Sequence, residues 1–92
     1  MQPRIKDFLS HLSRHRPAAS LAYPPVAGSL DPAAFEDDLY ILRELEAEDF
    51  LRLSDLDRGS GRVRVELTDA GRAWASRLGP QLQRQQPPSL RQ

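Results

Sequence analysis

The sequence predicts a small α+β domain, mostly helical, with one antiparallel β-hairpin. Three observations carry that reading. Phe35, Leu39, Leu42 and Leu45 recur at helical spacing, so the segment that holds them has one apolar face to bury. Arg62-Val63-Arg64-Val65-Glu66-Leu67 alternates charged and apolar residues, which places Val63, Val65 and Leu67 inward on a strand and the charges in water. Between them, Phe50-Leu51-Arg52-Leu53 changes to a period near two, and the turn-rich stretch from Asp55 to Gly61 lets two strands meet as a hairpin.

The first helix is expected to begin at Pro3, where a missing N–H does no harm, and to end before Pro17. Ile5, Phe8, Leu9 and Leu12 form its apolar stripe. Residues 17–32 contain Pro17, Pro24, Pro25 and Pro32 with Gly28 and Ser29, which forbid a long helix. Leu21, Tyr23, Val26 and Leu30 are too apolar for a free linker, so this stretch reads as an ordered connection with at most one or two helical turns. Asp31-Pro32 is a strong helix start, a capping carboxylate followed by a first-turn proline. Glu36, Asp37 and Asp38 suit the positive end of that helix dipole. The helix is expected to run to about Glu48, with Asp49 turning left-handed to let the chain reverse. Thr68 caps a last helix that is expected to bury Ala70, Trp74 and Leu78, with Trp74 against Val63 and Val65. Gly79-Pro80 is expected to end or kink it, leaving residues 80–92 as a flexible tail after a domain of residues 1–79.

Ninety-two residues make one domain with a marginal core, and an apolar content of 39% suffices for it. There is no cysteine, so disulfides and thiolate metal sites are excluded, and a reducing cytoplasm is the expected compartment. No apolar run reaches membrane-spanning length and the N-terminus carries no apolar leader core, so a soluble protein without a membrane partner is expected. The formal charge of zero hides a segregation. Residues 1–17 hold four cations against one acid, residues 18–50 hold eight acids against Arg43, and residues 51–92 hold eight arginines against four acids. The chain is therefore basic, acidic, then basic.

Leu42-x-x-Leu45-Glu46-x-x-x-Phe50-Leu51, the short hairpin loop, and Val65-x-Leu67-Thr68-x-x-Gly71 together resemble the second half of a winged helix-turn-helix domain. The similarity is greatest to the MarR and PadR groups of bacterial transcriptional regulators, and it spans somewhat under half the chain. It implies a winged helix-turn-helix fold of about three to four helices with a small antiparallel hairpin as the wing. The Phe35 helix then corresponds to the recognition helix. The partner helix that precedes it must fall in the proline-rich stretch, where it is short and distorted.

The resemblance implies a regulator that contacts duplex DNA through the wing and the basic N-terminal segment. Arg58, Arg62 and Arg64 lie on or beside the Gly59-Ser60-Gly61 tip, where arginines reach phosphates or a minor groove. Related wings carry an Asp–Arg pair at the tip, whereas here Asp57-Arg58 falls slightly earlier. The bland alternative is that exposed strand positions in an arginine-rich chain are simply filled with arginine. On the long helix the outward face is expected to be Glu36, Asp37, Tyr40, Arg43, Glu44, Ala47 and Glu48, of which only Tyr40 and Arg43 favour a phosphate backbone. A protein-interaction module that offers this acidic face to a basic partner is thus the rival reading. A homodimer is expected if the target has two half-sites about 34 Å apart. Asp7, His11 and His15 form a stripe on the first helix, better read as a solvated face than as metal ligands. No nucleophile elbow, phosphate-binding loop or ligand cluster is present, so neither an enzyme nor a cofactor is expected.

Overall fold

The computed structural model describes residues 2–15 and 19–85. Its elements are α1 (Pro3–Ser13), β1 (Ser20–Tyr23), α2 (Pro32–Ala47), β2 (Leu51–Asp57), β3 (Arg62–Leu67) and α3 (Asp69–Gln85). About half the chain is helical, and the strands form one antiparallel sheet in the order β1-β3-β2. Helix α1 packs chiefly on α3, and α2 lies against β2.

Both early helices start as their sequences dictate. Pro3 opens α1, and Ile5, Phe8, Leu9 and Leu12 are buried. The helix stops at Ser13, four residues before Pro17. At α2 the Asp31 carboxylate accepts the Ala34 N–H at 2.7 Å, one of the donors a helix start leaves unpaired. The helix ends at Ala47, and Asp49 takes a φ of 66°, the left-handed turn that carries the chain into β2.

The proline-rich connection holds a strand where helical turns were expected. Ser20–Tyr23 alternates polar or small residues with Leu21 and Tyr23, and Leu21 and Tyr23 register with Val65 and Val63 of β3. Tyr23 is buried and meets Phe8 edge-on, ring centroids 4.9 Å apart. None of the described residues between α1 and α2 is helical, so the partner helix of a helix-turn-helix is not found there. Prolines 24 and 25 limit β1 to four residues, and pairing with β3 satisfies a backbone that a broken helix would leave open.

The hairpin also exceeds its sequence reading. Strand β2 continues to Asp57, past the expected break at Asp55, by means of a bulge between Ser54 and Asp57 in which Asp55 has a φ of 52°. The alternation on β3 is as expected, with Val63, Val65 and Leu67 buried.

At the start of α3 the Thr68 hydroxyl donates to the Asp49 carbonyl at 2.6 Å and accepts the Gly71 N–H at 3.0 Å. A Cβ on Gly71 would stand 1.6 Å from the Phe50 carbonyl oxygen, so only glycine lets the helix cross the chain here. That approach also sets the rotation of α3. Gly71 and Ala75 face the core, Ala70 is exposed, and Trp74 and Leu78 are half-buried. The expected burial of Ala70 is therefore corrected; Trp74 is half-buried against the core that holds Val63 and Val65, and its ring also stacks on Phe50, with centroids 4.9 Å apart and planes 7° from parallel. Helix α3 continues through Gly79-Pro80 to Gln85, since one missing N–H does not have to end a helix. Residues 86–92 of the expected tail lie outside the described residues.

Candidate functional site

The outward face of α2 is as the periodicity predicts: Glu36, Asp37, Tyr40, Arg43, Glu44, Ala47 and Glu48 are all exposed. Tyr40 stands out, 65% exposed in the middle of the acidic face. A hydrogen bond to Glu44 pushes its hydroxyl above the usual tyrosine range. This helix thus presents an aromatic ring with Glu44 bonded to it on one side and a shallow hollow on the other that Glu36, Arg43 and Arg58 share with it.

The three hairpin arginines divide, Arg58 going to α2 while Arg62 and Arg64 both reach over β1. Arg58 Nε donates to Glu36 at 2.8 Å, which turns it toward α2. Arg62 reaches over β1, its Nε and Nη2 donating to the Pro24 carbonyl at 3.2 and 3.0 Å and Nη2 also to the Pro25 carbonyl at 3.0 Å. Arg64 Nη1 lies 3.3 Å from the Ser20 carbonyl and 3.1 Å from its hydroxyl, with Asp55 3.7 Å from Nε. The tip is organised by Asp57, whose carboxylate accepts the Gly59 and Ser60 N–H groups at 3.0 and 3.3 Å. A hydrogen bond from the Ser60 side chain first, then those from the Ser60 and Gly59 N–H groups, holds the Asp57 carboxyl below its ordinary value against desolvation. In the basic N-terminal segment Arg14 Nη2 reaches the Ser10 hydroxyl at 3.3 Å, Arg16 lies outside the described residues, and Arg4 has another partner.

That partner is Asp38, whose role the sequence reading missed. Its carboxylate is fully buried. Arg4 forks onto it with Nε to Oδ2 at 2.6 Å and Nη2 to Oδ1 at 2.8 Å, and the Tyr23 hydroxyl donates to Oδ2 at 2.6 Å. The Asp38 bond raises the Arg4 pKa, opposed by desolvation. Burial first, then Asp38, pushes the Tyr23 hydroxyl well above its usual range. One acid thereby ties α1, β1 and α2 together. A signal was present: Asp38 lies three residues after Phe35 and four before Leu42, on the apolar stripe, where a carboxylate requires partners.

The Asp7, His11, His15 stripe shows helix-surface contacts. His15 Nδ1 lies 3.1 Å from the His11 carbonyl and the two rings meet edge-on. Among the described residues no three His, Cys, Asp or Glu side chains group to hold a metal, and no helix is long and apolar enough to cross a membrane. A cleft of about 610 Å³ opens between α1, β1 and the Pro24–Leu30 connection, walled by Phe8, Leu21, Tyr23 and Leu30, with Arg4, Asp7, His11 and Arg62 among its polar lining. Compared with family models, with characterised proteins and with solved structures, the chain matches none.

Proposed function

We propose that this chain is a protein-interaction module of winged-helix type that docks a basic partner on the outward face of α2. One observation carries the choice: each wing arginine already has partners inside the molecule, whereas Tyr40 stands exposed one turn from Asp37 and Glu44, beside Arg43, on a helix face with four acids and one arginine. An exposed aromatic ring is the kind of anchor that dominates protein interfaces, and surrounding carboxylates steer cationic partners toward it. The same carboxylates repel a phosphate backbone. The winged-helix element of the proposal draws on the α2–β2–β3 succession and on Thr68-x-x-Gly71, whose glycine the Phe50 contact demands.

Binding of a fluorescent arginine-rich helical peptide, followed by anisotropy across a salt series, tests this. Wild type should bind and weaken with salt. Tyr40→Ala should weaken binding at least tenfold, as should the combined change Asp37→Asn, Glu44→Gln and Glu48→Gln, with melting unchanged for these exposed positions. Unaltered binding in both variants refutes the proposal.

A second reading, a DNA-binding regulator using the wing, keeps one observation in its favour. Arg58 and Arg64 remain 57% and 46% exposed, and exposed ion pairs hold by only about 0.2–1 kcal/mol, so a phosphate can displace Glu36 or Asp55. This reading expects duplex DNA affinity to fall steeply with salt, and Arg58→Gln with Arg64→Gln to flatten that slope by about two units.

A further inference from the structure

The cleft beside β1 contains main-chain groups as well as apolar side chains. Two bonds set the phase of the sheet. Thr68 N–H donates to the Phe50 carbonyl at 3.1 Å, while the Leu53 N–H turns out of the sheet to the Glu46 carboxylate at 3.0 Å. Phe50 and Arg52 therefore exchange bonds with β3, whereas Leu51 and Leu53 face away from it, as antiparallel alternation requires. On β3, Val63 and Val65 must then turn their backbone groups to Tyr23 and Leu21 of β1. It follows that the N–H and C=O of Ser20 and Ala22 point away from the sheet. The Ser20 carbonyl receives Arg64. Ala22 directs its pair to the side where the cleft lies, and Ala22 lines that cleft.

The two sheet edges are treated differently. On β2 the Leu53 N–H is capped by Glu46, and the Asp55 bulge twists the strand, both of which blunt an edge. Strand β1, among the described residues, has no side-chain cap of this kind at Ala22. Instead it faces α1 across the cleft, with Phe8 and His11 on the far wall and Leu30 lining it from the connection. On the outer face of the same edge Arg62 and Arg64 lean across β1 to Pro24, Pro25 and Ser20.

We propose that this groove takes an extended peptide segment of alternating apolar and acidic residues, added as a fourth strand antiparallel or parallel to β1. Main-chain bonds to Ala22 supply the attachment, and alternate side chains supply specificity. Apolar residues of the segment enter between Phe8 and Leu21. The intervening residues emerge on the face where Arg64 lies, 46% exposed and held only by Ser20 and by Asp55 at 3.7 Å, so a carboxylate there takes the place of Asp55 while Arg62 stays on the Pro24 and Pro25 carbonyls.

The probe is a fluorescein-labelled peptide Glu-Val-Glu-Val-Glu-Val, titrated into the isotope-labelled full chain. Binding should shift the amides of Ser20–Tyr23 and of the Phe8–His11 turn, and slow exchange of the Ala22 N–H. Methylating the backbone nitrogens of alternate peptide residues, on the edge meant for β1, should weaken binding at least tenfold without touching the protein's fold. Replacing Glu by Lys in the peptide should weaken it at least fivefold, and Arg64→Gln should shrink that preference. The proposal is overturned if no saturable binding occurs up to millimolar peptide. It is equally overturned if the methylated peptide binds as well as the parent, or if the shifts fall on α2 instead of β1. Since the arginine-rich probe and this acidic one have opposite charge, failure here leaves the α2 proposal to stand or fall by its own assay.

Discussion

Helix α2 carries two acid–arginine pairs two residues apart, and they differ in everything but length. Asp38 meets Arg4 at 2.6 Å with its side chain fully buried, whereas Glu36 meets Arg58 at 2.8 Å with about half of both side chains in water. The distances alone would rank them as equals. Their surroundings do not. Water competes for every bond of the Glu36 pair, and salt screens it. Asp38 has no water to fall back on, so both of its oxygens must be satisfied within the fold, and Arg4 and Tyr23 do this together. The buried pair therefore locks three elements in place. The exposed one mainly holds Arg58 beside α2.

The sharpest way to break this comparison is Arg4→Met, which keeps the packing stem and removes the fork. It strands the buried Asp38 carboxylate, which Arg4 reaches with its own side chain 40% exposed, and should lower stability more than either variant that follows. Urea unfolding should show it as a lower midpoint. A loss below about 1 kcal/mol would mean that Asp38 reaches water. Next is Tyr23→Phe, which removes one bond to Asp38 and should cost about 1–3 kcal/mol. It carries a pH signature. The folded-state pKa of Tyr23 is raised, so its contribution is complete below the unfolded value near 10 and is lost as pH rises toward the folded value. Wild type should lose stability above about pH 10, and Tyr23→Phe should flatten that decline. The smallest effect belongs to Glu36→Gln, less than about 1 kcal/mol at low salt and vanishing at molar salt. A Glu36 effect as large as that of Arg4→Met would overturn the contrast.

The elements were largely legible because their causes are local. The α1 and α2 stripes, the Asp31 cap, the Asp49 turn, the β3 alternation and the outward face of α2 all follow from neighbours within a turn or a strand pair. The burial of Ala70 was misjudged because the rotation of α3 depends on Gly71 touching Phe50, 21 residues earlier in the chain. The candidate surfaces were half legible. The acidic face was visible from spacing alone, but the use of the arginines was not.

What the sequence determined by itself was three helices, the hairpin, and the apolar faces of α1, α2 and β3, since periodicity and capping act over three or four residues. The tertiary structure decided the rest. It made a strand of residues 20–23 by supplying β3 as a partner, it buried Asp38 opposite Arg4 across 34 residues, and it sent Arg62 and Arg64 over β1 across 38 and 44 residues. A guanidinium or a carboxylate can bond many groups, and which one it meets is a matter of where the folded chain brings it. Periodicity carries no information about that meeting, because it describes the side from which a residue looks out and not what stands opposite.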